Sequence, residues 1–223
     1  MRALFVLLLL ILSGYASAQS RAVVSPAGEK FIARWEVGGP ELYTRRYQMP
    51  IWPGNSASGV TIGIGYDLGH NSVERILADW HMHPHRGYLA AMSGFKGQSA
   101  GNLAKRRAWI ITPLPMAMQV FRDPTLIRYY NIARRSFPGL QDQDQAVIDM
   151  ILDLVYNRGG NMVGKDRLEM RHIRDVCFPA RDHACTANQI RKMERIWRGS
   201  KLGKGLIARR NQEADYIMIR ARA

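Results

Sequence analysis

The apolar and polar positions along the chain predict mostly helices. The first helix begins at the Ser-Pro pair 25–26, which places an N-cap residue before a proline at the first helical position. Apolar side chains then recur at helical spacing through Trp35, and the Gly-Gly-Pro run 38–40 ends the pattern. This helix therefore carries Glu36 at its C-terminal end, beside a tryptophan that we expect to point inward.

The strongest helical signal lies in residues 142–157. Asp142 and Asp144 favour a helix start, and the glycine pair 159–160 favours a helix end. Between them, apolar residues form one broad face: Val147, Ile148, Ile151, Leu152, Leu154 and Val155. We expect this segment to be the central helix of the fold.

Seven further segments have a helical pattern. They are 71–80, 99–110, 115–121, 124–136, 167–176, 187–198 and 205–221. The pairs Asn71-Ser72 and Asp123-Pro124 supply start signals for the first and the fourth of them. Residues 40–58 are rich in Pro, Gly, Ser and aromatic residues, which predicts a loop.

Only one segment has a convincing β pattern. Residues 60–66 alternate β-branched and small side chains, which predicts a short strand or a hairpin. The chain shows no internal repeat. The predicted fold class is therefore α+β, mostly α, with a small β element near the front.

The first 18 residues have the three-part pattern of a secretory signal peptide. Arg2 is the basic start, ten uncharged residues follow as the apolar centre, and Ala-Ser-Ala at 16–18 precedes the cleavage site. The apolar run is too short to span a bilayer, and no later stretch is long and apolar enough. We expect export to the periplasm or the extracellular space, without stable membrane insertion after cleavage. Residues 19–25 would then be a short N-terminal segment and 26–223 a single domain, with an uncleaved N-terminal anchor as the alternative.

The net charge narrows the choice of partner. The chain of 223 residues has 32 Lys and Arg against 18 Asp and Glu, a formal net charge of +14. Cleavage after Ala18 removes Arg2 and leaves +13. The basic residues are scattered and carry no zinc-finger, RNA-recognition or basic-zipper signature, so we expect no nucleic-acid partner. For an exported protein, a bacterial cell wall is the polyanion that this charge favours.

The two cysteines, Cys177 and Cys185, are eight positions apart. In an oxidising compartment such a pair can close a small loop, and two free buried thiols are the alternative. We expect a disulfide. No redox motif surrounds either cysteine, so the bond would be structural rather than catalytic.

Three polar residues are candidates for chemistry. Glu36 ends an apolar helix beside a tryptophan, and partial burial of its carboxyl group would raise its pKa and suit it to act as a general acid. Thr61 lies in the predicted β segment, and Asp67 follows just after it. Each also has an ordinary structural explanation, as a solvated helix end, a strand former and a turn or cap residue. The residues alone leave both explanations open.

The motifs for cofactors and metals are incomplete. The glycines in the run 63–69 miss the dinucleotide-binding fingerprint by one residue, and no βαβ pattern follows. His81 and His85 have the spacing of a helical metal site, but Pro84 lies between them and no HExxH pattern is present. We therefore expect no cofactor and no metal, and surface positions for His70 and for the histidines of the His-Met-His-Pro-His run.

Several segments resemble the phage-type lysozymes, which are muramidases that cut peptidoglycan. A Glu at the end of an N-terminal helix is followed by Thr-Ile-Gly-Ile-Gly-Tyr at 61–66. The segment 145–159 resembles the central core helix of the family with its Asn-x-Gly ending, and 197–214 resembles its C-terminal helix, with an Arg-Arg pair and a following Glu. The resemblance covers most of 26–220 and is loose over 71–140. It implies a lysozyme-like fold, with a small N-terminal β-hairpin region and a helical main lobe around the predicted central helix.

The chain departs from the common phage pattern in its second carboxylate. That pattern places an Asp about five residues before the Thr, where this chain has Pro-Gly-Asn-Ser-Ala-Ser at 53–58, and Glu41 is the only acid between Glu36 and Thr61. The order of Glu36, Thr61 and Asp67 is similar instead to the lysozyme-like domain of pesticin, a bacterial toxin. In that subfamily the matching Glu, Thr and Asp are the catalytic residues.

The resemblance implies an enzyme that cleaves the β-1,4 bond between N-acetylmuramic acid and N-acetylglucosamine. Glu36 would be the general acid, Asp67 the stabiliser or base, and Thr61 the residue that positions water, with inversion of the anomeric carbon favoured. Tyr66 and Arg158 are further candidates to line the substrate groove. Bacterial peptidoglycan would be the partner of a monomeric protein, and the likeness to a toxin leaves an immunity or inhibitor protein open.

Three alternatives remain beside hydrolysis. A lytic transglycosylase would need only the acid, and a catalytically inactive lysozyme-like module would only bind wall glycan. A secreted basic protein that binds nucleic acid or anionic lipid is the third, and it would leave the Glu36–Asp67 stretch unexplained.

Overall fold

A computed structural model of the protein describes residues 23–200 and 203–221. The predicted signal peptide, residues 1–18, lies outside these ranges. None of the helices in the described ranges is long and apolar enough to cross a membrane.

The described residues are mostly helical. The helices are α1 (Pro26–Val37), α2 (Pro40–Leu42), α3 (Val73–Asp79), α4 (Arg86–Ala90), α5 (Gly97–Arg106), α6 (Leu114–Val120), α7 (Leu126–Ser136), α8 (Gln145–Arg158), α9 (Leu168–His172), α10 (His183–Lys192) and α11 (Gly203–Arg220). Wide π-type turns at Tyr43–Tyr47, Phe121–Thr125 and Ile173–Cys177 extend or join them, and 3-10 turns occupy Leu68–His70, Leu140–Asp142, Lys165–Arg167 and Met193–Ile196.

The β element is a two-stranded antiparallel hairpin. Strand β1 (Thr61–Ile62) pairs with β2 (Tyr66–Asp67), and Thr61 stands directly opposite Asp67. The prediction of a hairpin in this segment is confirmed, and so is the α+β, mostly α class.

The limits of α1 and α8 follow from capping residues that the sequence shows. The Ser25 hydroxyl accepts a hydrogen bond from the Gly28 amide at the start of α1, and Gly38 ends the helix in the left-handed conformation with φ 73°. Asp144 caps α8 by accepting from the Ala146 amide at 2.8 Å. Both predicted helices are therefore confirmed within about three residues at each end.

Helix α8 is the centre of the main lobe. Every residue from 146 to 155 is buried, and apolar side chains of α7, α9, α10 and α11 pack around it in one cluster. A second cluster joins the hairpin to α3, α4 and α5 as a smaller lobe. A third cluster connects the two lobes, with Ile32 of α1, Ile64 of the hairpin turn and Leu152 of α8 among its members.

Two expectations need correction, and a third is confirmed only in part. Residues 40–47 of the predicted loop are helical, because Pro40 occupies a first helical position and the segment continues as the turn Tyr43–Tyr47. Helix α4 was not predicted, since five residues are too few to show a period. Asp123 has the extended backbone of an N-cap residue at the kink before Pro124, as predicted, but its side chain makes no capping hydrogen bond with the described residues.

The predicted disulfide is present. Cys177 and Cys185 are bonded, with their Cα atoms 5.4 Å apart. The bond joins the turn Ile173–Cys177 to α10, whose first turn is capped by Asp182 through the Cys185 amide at 2.7 Å. The disulfide therefore holds the turn Ile173–Cys177 and the start of α10 together in the main lobe.

Candidate active site

A cavity of about 690 Å³ lies between the end of α1, the segment that precedes β1, and the hairpin. Glu36, Thr61 and Asp67 all line it. The structure thus brings together the three candidates that are separated by up to 31 positions in the sequence.

Glu36 is held at the cavity wall with most of its side chain buried. Its Oε1 atom lies 2.9 Å from Arg209 Nη1 of α11, and 21% of the side chain is exposed. Burial raises the pKa of this carboxyl group, and the neighbouring Arg209 opposes the shift without cancelling it. Trp35, predicted to point inward, is half-buried, with the Arg209 guanidinium 5.9 Å from its ring centre. Glu36 therefore keeps its proton to a higher pH than a solvated glutamate does.

Arg209 belongs to a buried ionic network behind Glu36. Its guanidinium binds Asp153 of α8 through both nitrogen arms, with Nε 3.0 Å from Oδ2. Next to this pair, Arg210 binds Glu213 at 2.5 Å. The side chains of Asp153, Arg210 and Glu213 are fully buried, so the network excludes water from the inner side of Glu36.

Two carboxyl groups of the network, those of Glu213 and Asp153, have pKa values shifted in opposite directions. Burial raises the pKa of Glu213 well above its usual value, and a hydrogen bond to Asp153 adds to this shift. Burial also opposes ionisation of Asp153, but hydrogen bonds from Glu213 and Arg209 outweigh it and lower the pKa of Asp153. The opposite directions of the two shifts favour a proton on Glu213 and a negative charge on Asp153.

The hairpin forms the opposite part of the cavity lining. Because Thr61 and Asp67 are directly paired across the strands, their side chains lie on the same face. The turn between them needs Gly65 at φ 69°, and a Cβ atom there would lie 2.9 Å from the Tyr156 hydroxyl and 3.4 Å from Glu36 Oε2. The Tyr156 hydroxyl donates to the Ile64 carbonyl at 2.7 Å, which fixes the hairpin against α8.

Backbone amides fix the Asp67 carboxylate. Oδ2 accepts from the Gly59 amide at 3.0 Å and Oδ1 from the Gly69 amide at 2.8 Å. The second contact caps the 3-10 turn Leu68–His70. Asp67 therefore has the ordinary structural role that the sequence left open, and 24% of its side chain is also exposed.

Tyr66 and Arg158, the two further candidates for the substrate groove, lie elsewhere. Tyr66 is buried in the smaller lobe, where its hydroxyl donates to Asp79 Oδ2 at 2.7 Å. Arg158 lines a separate pocket of about 660 Å³, with its guanidinium 4.8 Å from the Trp197 ring centre. Burial beside Arg167 lowers the pKa of Arg158 to about 10. Neither side chain lines the cavity with Glu36.

The histidines differ in part from the expectation of surface positions. His70 and His81 are exposed, but His83 is buried. Its Nε2 lies 3.2 Å from the Thr112 hydroxyl, and its Nδ1 accepts from the His85 amide. Burial and the nearby His85 lower the pKa of His83. The surface prediction was wrong for His83 because Trp80 and the hairpin cluster pack over this turn.

Cavity-lining residues that the sequence did not single out come from the predicted loop. Arg46, Tyr47 and Trp52 line the cavity beside Glu36. The aromatic content of residues 40–58 was the available signal. Arg209 was visible only as part of an Arg-Arg pair, and nothing in its local pattern pointed to Glu36.

Neither the models of known protein families nor the curated protein sequences match the chain. The fold and the site define a mostly helical α+β protein with a cavity lined by a largely buried carboxyl group and by a second, amide-bound carboxylate.

Proposed function

We propose that this protein is an exported muramidase with a lysozyme-like fold built around α8. Its substrate would be bacterial peptidoglycan, cut between N-acetylmuramic acid and N-acetylglucosamine. The resemblance of the sequence to phage-type lysozymes and to the pesticin domain motivates the proposal. A hairpin next to the end of α1 and a helical lobe around α8 are consistent with it.

The observation that carries the proposal is the state of Glu36. A carboxyl group of raised pKa at the wall of an open cavity is what a glycosidase needs as a general acid. The same cavity is lined by Asp67, so two carboxyl groups in different environments are available to one bound ligand. Such a pair is the usual requirement of glycoside hydrolysis.

The proposed reaction breaks the bond between the anomeric carbon and the bridging oxygen. Glu36 gives its proton to that oxygen as the bond lengthens. Asp67, as the carboxylate, takes a proton from a water molecule that Thr61 holds, and this water attacks the anomeric carbon from the other face. The products are two shortened glycans with one water added. This assignment gives inversion of the anomeric carbon.

One observation favours a second candidate, a lytic transglycosylase. The Asp67 carboxylate already accepts hydrogen bonds from Gly59 and Gly69, so it has a structural role without any catalysis. In a reaction that needs only Glu36, this residue would give its proton to the bridging oxygen and then take the proton of the muramic acid C6 hydroxyl. The C6 oxygen would bond to the anomeric carbon, which releases an anhydro end without consuming water.

Mass spectrometry of the fragments released from purified peptidoglycan tests both candidates. Muramic acid with a free reducing end, heavier by one water than the anhydro form, supports the muramidase. Anhydro ends overturn hydrolysis and support the transglycosylase. Co-sedimentation with peptidoglycan without any released fragment contradicts both reactions and identifies a glycan-binding module.

A further inference from the structure

A long stretch of the chain contains no acidic residue. Residues 80–122 hold six Lys or Arg and no Asp or Glu. The stretch includes α4, α5 and α6, and thus much of the smaller lobe. The proposed reaction uses none of these charges.

Four side chains of this stretch form a surface cluster, which we call the aromatic platform: the half-buried His85 and Arg107 and the exposed Tyr88 and Trp109. The ring centres of Tyr88 and Trp109 are 5.3 Å apart, and those of His85 and Trp109 are 5.0 Å apart. The Arg107 guanidinium lies 4.9 Å from the Tyr88 ring centre. Tyr88 and Trp109 are 47% and 49% exposed, so two large rings meet solvent side by side.

Unpaired cations flank the aromatic platform. Arg86 begins α4 two positions before Tyr88, and Lys105 and Arg106 end α5 just before Arg107. Within residues 23–200 and 203–221, none of these four cations forms an ion pair with a carboxylate. The charges that this stretch contributes around the aromatic platform are therefore all positive, which is complementary to an anionic surface.

The ring geometry distinguishes between anionic partners. Tyr88 and Trp109 meet at 82°, and His85 and Trp109 at 78°. Stacking on successive bases or on a flat sugar face needs rings that present their faces together, which perpendicular rings do not offer. Edge-to-face Trp and Tyr beside Arg and Lys suit the boundary between lipid headgroups and acyl chains, where one end of each ring is apolar and the other is wet.

We propose that the aromatic platform docks the protein on the surface of an anionic phospholipid bilayer. Arg86, Lys105, Arg106 and Arg107 contact lipid phosphates, and the rings of Tyr88 and Trp109 enter the headgroup layer. The exposed apolar side chain of Ile111, two positions after Trp109, would add apolar area to the contact. This binding goes beyond the proposed hydrolase and does not depend on it.

Co-sedimentation with vesicles tests the proposal without any measurement of activity. The purified chain is mixed with vesicles of phosphatidylcholine alone or of phosphatidylcholine with phosphatidylglycerol. We expect binding to the anionic vesicles only. The double variant Arg106→Gln/Arg107→Gln should bind the anionic vesicles about 30-fold more weakly. Each cation near the membrane contributes about 1 kcal/mol, and every 1.4 kcal/mol corresponds to roughly a tenfold change in affinity.

A matched control is available on α7. Arg134→Gln/Arg135→Gln removes the same charge from an exposed pair, whose Arg134 guanidinium also lies over a ring, that of Tyr130, at 6.0 Å. It should lower vesicle binding several-fold less than the variant of the aromatic platform. All variants share the same N-terminal residues, so a difference between them arises from the substituted surface.

Several results would overturn the proposal. Equal loss in the two double variants would mean that only net charge matters. Equal binding of the wild type to neutral and anionic vesicles would remove the role of the cations. Unchanged vesicle binding by Tyr88→Ala/Trp109→Ala, in a variant with wild-type circular dichroism, would remove the role of the rings. Loss of peptidoglycan binding with intact vesicle binding in the same variant would reassign the aromatic platform to glycan.

Discussion

The two carboxyl groups of the cavity are held by different kinds of structure. Glu36 depends on residues far away in the sequence, since Arg209 and Asp153 come from α11 and α8. Asp67 depends on amides within eight positions, those of Gly59 and Gly69. The pKa of Glu36 therefore depends on the packing of the whole main lobe, whereas the position of Asp67 depends on one local turn. Substitutions in the main lobe should therefore change the pKa of Glu36 and leave the hydrogen bonds of Asp67 unchanged.

The largest expected effect is the loss of cleavage rate when Glu36 is substituted. Glu36→Gln should lower the rate of peptidoglycan cleavage about 10²- to 10⁴-fold, because the amide cannot donate the proton as an acid does. The rate is measured as reducing ends released. Glu41→Gln is the matched control, since it makes the same change in an exposed residue of α2. Near-wild-type cleavage by the Glu36 variant, or an equal loss in the control, would contradict the assignment.

The pH dependence of cleavage is a second test of Glu36 as the general acid. Glu36 acts as an acid only when it is protonated, and burial raises its pKa above the usual 4.5. The rate should therefore fall as the pH rises through this raised pKa, and Glu36→Gln should lack that fall. A wild-type rate that falls around pH 4.5 would show that burial does not tune the group.

The second largest effect is on stability. Asp153→Asn leaves Arg209 and Arg210 buried with too little negative charge, which should lower the free energy of unfolding by about 3–5 kcal/mol. Asp153 also raises the pKa of Glu36, so the fall in rate should move to lower pH. Denaturant unfolding and the pH profile measure the two effects.

A control for this variant lies one turn earlier on α8. Asp149 is also buried, but it accepts from Ser25 and Tyr216 hydroxyls rather than from a cation. Asp149→Asn should cost about 1 kcal/mol and leave the pH profile unchanged. Equal shifts of the profile in both variants would contradict the separate coupling of Asp153 to Glu36.

The third largest expected effect comes from a substitution at Asp67. It distinguishes a purely structural cap residue from a catalytic carboxylate. Asparagine is as good a cap as aspartate, so Asp67→Asn keeps the contact with the Gly69 amide and the 3-10 turn. Its amide nitrogen cannot accept from the Gly59 amide, so we expect a loss of stability of about 1–3 kcal/mol. We expect cleavage to fall about 100-fold in a variant that remains folded, because the amide is a poor base. Thr61→Ala should lower the rate less. Full activity of the Asp67 variant would leave the residue as a cap and favour the transglycosylase.

The smallest expected effect comes from a substitution at Gly65, where the hairpin closely approaches Tyr156 of α8 and Glu36 of α1. Gly65→Ala places a methyl group against Tyr156 and Glu36 at positive φ. Gly94→Ala imposes the same kind of backbone strain, at φ 78°, but its Cβ meets nothing within 4 Å. Both should lose about 1–3 kcal/mol of stability, and only Gly65→Ala should also lower the cleavage rate, by about tenfold. Equal rates in the two variants would show that the contact does not matter.

The sequence predicted those parts of the site that local rules control. The Ser-Pro start and glycine end of α1 gave the position of Glu36 on its helix, and the alternation over 60–66 gave the hairpin. Asp67 was predicted just after the β segment 60–66, whereas it is the last residue of β2 and pairs with Thr61. These features rest on capping and turn chemistry, which act over a few residues.

Other features depend on contacts that no local pattern contains. The Arg209 contact with Glu36 joins positions 173 apart, and a pair of arginines on a helix is usually a solvated face. Tyr66 was expected at the groove, but its ring is buried because the hairpin packs on Trp80. His83 is buried for a related reason, since its turn lies between Trp80 and Thr112.

The contact between Glu36 and Arg209 also sets an order of events in time. Helix α1 is made early, whereas α11 follows all the other described elements, and a chain emerges from the ribosome N-terminus first. The arginine that faces Glu36 is therefore made after every other described element. A chain in which α11 has not yet packed would hold Glu36 without this partner, so the proposed activity would begin only once α11 is in place.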